Sequence, residues 1–266
     1  MAELRAYRAL IAGRFRSVLS YRVSFAVELV SNLGATVIDI GTVLVLFRAT
    51  RQIGGFSLRE AVLMAGLSSC GFALADFAVG NVDDLKLYVR TGTLDAVLVR
   101  PLSVLAQLLL MDLPVRKALR LLVGITTLVV ALRINHIDWT PGRLLLVVVA
   151  PVAGAIFFGS IFVLTASLAF WWVESGEVGN AFTYGGRDFT TYPVNVYGSW
   201  FRSMFAYGLG FGFVAYQPAL VLLGRADPLG LSAWAGFCSP LVALGAAVVA
   251  AVVWRSGIRH YRSTGS

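Results

Sequence analysis

The sequence predicts an all-α polytopic membrane protein: six transmembrane helices in a single domain over residues 1–266, an amphipathic N-terminal interface helix, and a short cytoplasmic helix between the second and third spans. Three observations carry that reading. Hydrophobic residues fill 58% of the 266 positions and charged residues only 14%, at a mean hydropathy of +0.79, a balance no ordinary soluble domain approaches. The apolar residues fall in blocks of about 20 or more, the length a helix needs to cross a hydrocarbon core ~30 Å thick. Strand-like alternation is absent, which favours a helical bundle over a barrel.

Taken in order, residues 1–22 set Arg5, Arg8, Arg14, Arg16 and Arg22 among apolar neighbours, the pattern of a basic interface helix. The block at 23–47 is too long for a signal-peptide core and lacks a small-residue cleavage site, so it reads as the first span. A polar turn, RATRQIGGFSLRE, precedes the second span at about 61–82. Next, PVRKALR splits two apolar runs and is too charged for the bilayer centre. The first run is expected at the cytoplasmic interface and the third span over 117–134, with Lys117 and Arg120 snorkelling to the surface.

The fourth span covers 144–170 and should bend at Pro151 and Gly154. The segment rich in Gly, Tyr and Thr that follows, up to about 200, reads as a loop with a short helix. The fifth span, 200–221, weakens at Tyr216, Gln217 and Pro218 after Gly208, Gly210 and Gly212, so a broken or re-entrant end is expected there. A turn at 224–232 leads to the sixth span, 233–254, and a basic tail.

Six spans place both termini on one side. That side receives sixteen of the 22 basic residues, and the other receives Arg48, Arg51, Arg59, Arg133, Arg143 and Arg225. Positive charge concentrates on the cytoplasmic side of membrane proteins, so both termini are expected in the cytoplasm and the chain in the cell inner (plasma) membrane. The tryptophans agree: Trp171, Trp172, Trp200 and Trp254 fall at expected inner interfaces, and Trp139 and Trp234 at or near outer ones. The net charge of +8 sits beside apolar blocks, which suits the lipid bilayer and its anionic headgroups rather than nucleic acid. Cys70 and Cys238 lie in or at the ends of apolar blocks and imply neither a disulfide nor a redox compartment.

The connection at 83–102 is the long polar interruption that reads as structured. Gly92 breaks the chain, Thr93 can cap a short helix, Asp95 falls in its first turn where the helix dipole favours a carboxylate, and Pro101 stops it after Arg100. Leu94, Val97 and Leu98 share one side of that helix. Read as G-x-L-D-x-x-L-x-R-P-L, the run from 92 to 102 resembles the type-2 class of ABC-transporter export permeases, in the short six-span subfamily encoded without a fused ATPase. Tyr192 and Pro193 with Val196 and Tyr197, then Tyr216, Gln217, Pro218 and Ala219 before a leucine-rich run to Gly224, are similar to that family's fifth span and its outer break. The glycines at 208, 210 and 212 depart from the proline the resemblance leads one to expect.

The resemblance implies a second permease, identical or paralogous, and two copies of an ABC ATP-binding subunit. Gly92, Leu94, Asp95, Val97, Leu98, Arg100 and Pro101 would couple to that ATPase, with Leu94, Val97 and Leu98 as apolar anchors and Asp95 and Arg100 fixing orientation. The chain carries no G-x-x-x-x-G-K-[ST] phosphate loop, so no cofactor is expected in it, and ATP and magnesium would be bound by the partner subunit. Other chemistry finds little support. His136 and His260 fall on opposite sides of the membrane and there is no Cys/His cluster, so neither a metal site nor an enzyme is expected.

Intramembrane carboxylates complete the reading. Glu28 and Asp39 lie three helical turns apart and share a face with Asn32, while Asp76 shares one with Ser69, Gly80 and Asp83. A carboxylate at this depth costs at least ~2.5 kcal/mol, so these groups should meet water or a partner rather than lipid. They mark either a cation-attracting translocation path through Glu28, Asn32, Asp39 and Asp76, or acids paired within the bundle. The sequence thus reads as the transmembrane permease subunit of an ATP-driven ABC exporter. The alternative is a proton-coupled secondary transporter that relays protons through Glu28, Asp39 and Asp76.

Overall fold

The computed structural model describes residues 52–110 and 115–261, with seven isolated positions between 30 and 50. The expected N-terminal interface helix and nearly all of the first expected span, with Glu28, Asn32 and Asp39, lie outside the described residues. Among the described residues the regular structure is helical, joined by turns, with one isolated bridge between Ile53 and Phe56.

The first long helix, α1 (Leu58–Val79), starts where the Ser57 amide and hydroxyl both donate to the Glu60 carboxylate, at 2.8 and 2.9 Å. That closes an otherwise open first turn. A 3₁₀ turn (Gly80–Asp84) leads into three short helices, α2 (Leu85–Arg90), α3 (Thr93–Leu98) and α4 (Val104–Leu109). Two long helices follow, α5 (Val115–Ile134) and α6 (Pro141–Ser167). Thr140 caps α6 by accepting from the Arg143 amide, and Pro141 at the first position needs no donor, so α6 begins three residues before the expected span. It runs through Pro151 and Gly154 without interruption.

After α6 come α7 (Gly176–Thr191), α8 (Ser199–Arg202) continued by a π-helical turn to Gly208, a 3₁₀ turn (Phe211–Phe213), α9 (Tyr216–Leu223), a second 3₁₀ turn (Ala233–Phe237) and α10 (Ser239–His260). Among the described residues, α1 with its continuation to Arg90, α6 with its continuation to Phe170, and α10 are long and apolar enough to cross a membrane. The pair Ser199–Gly208 and Phe211–Leu223, bent by 68°, passes the same test only jointly. The 20 residues of α5 rise ~30 Å, long enough to cross, but carry charge at both ends.

The bundle is built on close helix approach. α1 packs along α5 and α6, α6 packs on α10, and α7 packs on α1 and α6. A Cβ placed on Gly66 would come 2.9 Å from the Leu128 Cα, and one on Gly71 would come 3.2 Å from the Gly154 backbone. Small residues let helices meet at backbone distance inside a membrane, where dispersion replaces the hydrophobic effect as the force between helices. Aromatic rings fill the wider spaces: Phe72, Phe157, Phe158, Phe162 and Phe211 are buried and pack edge-on or tilted against one another.

Two parts of this architecture differ from the sequence expectation. The segment expected as a loop with a short helix holds the sixteen-residue α7, whose buried face is Thr183, Gly186, Phe189 and Thr190. Its glycines and threonines are poor helix formers, but they let α7 close on its neighbours. The Thr190 hydroxyl lies 2.6 Å from that of Ser68, and a Cβ on Gly186 would collide with the Phe211 ring.

The second difference is the expected fifth span at 200–221, whose two flanks touch the same end of the bundle. The Asn195 amide donates to the Gly54 carbonyl at 2.6 Å. At the other flank Arg143 donates to the Val221 carbonyl at 2.9 Å, and Arg225 pairs with Glu60 at 2.8 Å while lying 4.3 Å over the Phe56 ring. Between these flanks, Phe211 sits 5.0 Å from Phe157, and Val214 lies against Gly154. The chain therefore descends through α8, turns at Gly210, where φ is +91°, and returns through α9. This re-entrant hairpin carries Trp200, 73% exposed, to the end of the bundle where α1 and α6 begin, opposite to its expected inner position.

Candidate functional site

Residues 83–102 form a cap over the opposite end of the bundle, where α1 finishes. α2 packs on the end of α6 and on the 3₁₀ turn Leu168–Phe170. Thr91 closes α2, its hydroxyl donating to the Leu87 carbonyl at 2.8 Å, and Gly92 follows at φ +68°. A residue with a Cβ is strained there, which explains the glycine. Gly92 is thus the residue preceding α3, the place the sequence reading gave to Thr93, whose hydroxyl lies 2.9 Å from that of Thr91 instead. α3 ends at Leu98 rather than after Arg100, because the residue before a proline avoids the helical region. Asp95 lies in the first turn, as expected.

The burial pattern of α3 changes the expected division of labour. Leu94 and Val97 are each 1% exposed and join Leu85 and Val89 in the chain's own core. Two of the three expected partner anchors therefore hold the cap to the bundle. Gln107 on α4 reinforces this, its amide donating to the Val97 and Leu102 carbonyls, both at 3.1 Å. The outward crest is Leu87, Leu98 and Val99, at 54%, 37% and 86% exposure, flanked by exposed Arg90, Arg100 and Pro101. Asp95 accepts from the Tyr261 hydroxyl at 3.1 Å, which ties the cap to the end of α10. Burial and the Asp95 charge push the Tyr261 phenol above the usual tyrosine range and so keep it a donor.

Behind the cap lies a charge centre on Asp76, which is 3% exposed. One of its oxygens meets the Lys117 ammonium at 3.1 Å and the other meets Arg120 at 2.6 Å. Lys117 also donates to the Asn81 side chain at 3.0 Å, and Asn81 donates to the Leu109 carbonyl at 3.0 Å. Gly80 makes room, since a Cβ there would strike both the Asp76 carboxylate and Lys117. The cluster joins α1, the end of α4 and α5, and the Tyr184 hydroxyl of α7 reaches Asp83 beside it at 3.5 Å. Lys117 and Arg120, expected to snorkel to the surface, instead reach the buried Asp76 counter-charge while their side chains stay 23% and 41% exposed. Their spacing of three residues, which sets both on one face of α5, was the available signal.

Of the expected path residues, only Asp76 is described, and it is an acid already paired within the bundle. Both oxygens being taken by cations, it offers a proton relay or a cationic cargo little that is unoccupied. Among the described residues no group of His, Cys, Asp and Glu is arranged to hold a metal ion.

Comparison with known proteins adds one finding: a family model described as ABC-2 family transporter protein matches residues 33–265. No curated protein and no solved structure matches the chain. The match covers far more than half of the sequence, and the apolar helices, the capped end and the re-entrant hairpin fall within it. The chain belongs to the ABC-2 transporter family, as a multi-pass membrane permease component of an ABC transporter.

Proposed function

We propose that this permease is half of the translocation pathway of an ATP-driven exporter, and that the crest of Leu87, Leu98, Val99 and Arg100 seats on a separate ATP-binding subunit. The observation that supports this most is the apolar crest itself: Leu87, Leu98 and Val99, with Val99 at 86% exposure, stand together at the tip of an otherwise polar cap, while Leu85, Val89, Leu94 and Val97 of the same segment are buried. Two ATP-binding subunits and a second permease, identical or paralogous, complete the assembly, with ATP and magnesium bound by the ATPase. Closure of the ATPases on nucleotide would push the cap and shift the bundle between inward- and outward-open states. Co-expressed with the P-loop ATPase encoded nearest to it, the full chain is expected to co-purify with that subunit and, in vesicles, to support transport that requires ATP. ATP-independent transport by the permease alone would overturn the reading.

In this arrangement the crossings are the first span, α1, α5, α6, α7 and α10, both termini are cytoplasmic, and the hairpin dips into the inner membrane from outside. Moving Arg202 outward with the hairpin and Arg187 into the α7 crossing still leaves the basic excess on the cytoplasmic side. Position 196 discriminates, since a single crossing at 200–221 would put it inside. With Cys70 and Cys238 replaced, Val196→Cys, like His136→Cys, is expected to react with an impermeant thiol reagent from outside, and Thr91→Cys is not. A protected Val196→Cys would restore the single crossing.

A further inference from the structure

α10 carries an outward stripe with two kinds of chemistry. Leu241, Leu244, Val248 and Val252 recur every three or four residues, which stacks them on one side of the helix, and their exposures are 70%, 61%, 56% and 61%. The other side, with Ala243, Ala250, Trp254 and Gly257, is buried, Gly257 directly beneath the Phe170 ring. The same spacing continues past Val252 to Arg255 and Arg259, both exposed. Among the described residues neither guanidinium pairs with a carboxylate. Beside them Trp171 stacks on His260, ring centroids 5.7 Å apart at 24°, and Trp172 is 54% exposed.

We propose that this stripe binds one anionic phospholipid, its phosphate on Arg255 and Arg259 and an acyl chain along Val252, Val248 and Leu244. The dimensions agree: eleven residues separate Leu244 from Arg255, about 16 Å of helix, and one leaflet supplies about half of a ~30 Å core. Guanidinium groups suit phosphate oxygens through paired hydrogen bonds, and the Trp171–His260 stack stands at the depth where aromatic rings meet the glycerol region. Charge selects lipid over a second copy of this chain. A two-fold axis along the membrane normal joins residues of equal depth, so pairing through this stripe would set the arginines of the two copies against each other.

The test uses the full chain, purified in mild detergent, stripped of lipid and titrated with phosphatidylglycerol or phosphatidylcholine, with bound lipid counted by native mass spectrometry. One phosphatidylglycerol is expected to be held about thirtyfold more tightly than phosphatidylcholine, each arginine contributing on the order of fivefold. The double variant R255Q/R259Q is expected to stay monodisperse and lose the preference, and excess inorganic phosphate is expected not to displace the lipid. Equal retention of the two lipids, or an undiminished preference in the double variant, overturns the proposal. So does displacement by inorganic phosphate, which would leave only an anion site, or efficient disulfide cross-linking of two Val248→Cys copies, which would give the face to a second permease.

Discussion

Asp76→Asn is expected to destabilise the permease by about 1–3 kcal/mol, less than the loss of a fully buried ion pair, because the Lys117 and Arg120 side chains stay 23% and 41% exposed and are screened by water. Asparagine keeps the shape and removes the charge, leaving Lys117 and Arg120 facing each other across a site that is 3% exposed at its centre. Lys117 retains its hydrogen bond to Asn81, which limits the loss on its side. The measurement is the yield of monodisperse full-length protein and its thermal midpoint in detergent, both of which should fall. A double-mutant cycle checks the cause: with Arg120→Gln added, part of the stability should return, because the second change removes one of the two cations that the lost carboxylate held together. A double variant no better than Asp76→Asn alone would show that charge pairing is not what the site supplies. Normal stability with lost transport would point instead to the proton-relay alternative.

The failures of the sequence reading share a cause that Asp76 illustrates. An intramembrane acid and a basic pair about 40 residues later are both visible in the sequence, but their meeting depends on α1 packing along α5. Without that contact, snorkelling to water is the cheaper expectation for Lys117 and Arg120. The long apolar helices α1, α6 and α10 were legible because bilayer thickness sets their length and their composition needs no partner. α7 was not, since its glycines and threonines read as a loop until the bundle supplies a surface close enough to use them. The hairpin was half legible: the glycines marked a break, but the side from which it enters follows from Asn195 meeting Gly54 and Arg225 meeting Glu60, contacts more than 140 residues apart in sequence. In the cap, the side chains of Leu94, Val97 and Leu98 were correctly grouped as apolar. Helical spacing cannot say that two of them face the chain's own core.

That distinction makes the cap testable by contrast. Leu98→Ala and Val99→Ala are expected to leave a folded permease, because both side chains are exposed, and to weaken its hold on the ATPase. Truncating an apolar anchor at the centre of an interface costs about 2 kcal/mol or more, over tenfold in affinity. Leu94→Ala removes a 1% exposed side chain instead and should cost about 2–5 kcal/mol of the permease's own stability. The two classes separate in one experiment, in which the yield of folded permease and the ATPase retained per permease are measured together. Leu94→Ala should lower the first, and the crest variants only the second. Arg100→Ala belongs with the crest, since Arg100 is exposed and makes no ion pair among the described residues. Asp95→Asn takes a middle place. It neutralises the acceptor for Tyr261, so it should loosen the cap from α10 and lower the transport obtained per ATP hydrolysed without releasing the ATPase. Crest variants with full ATPase retention and full transport would show that the cap only closes the end of the bundle, and the seat of the ATPase would have to be sought elsewhere on the permease.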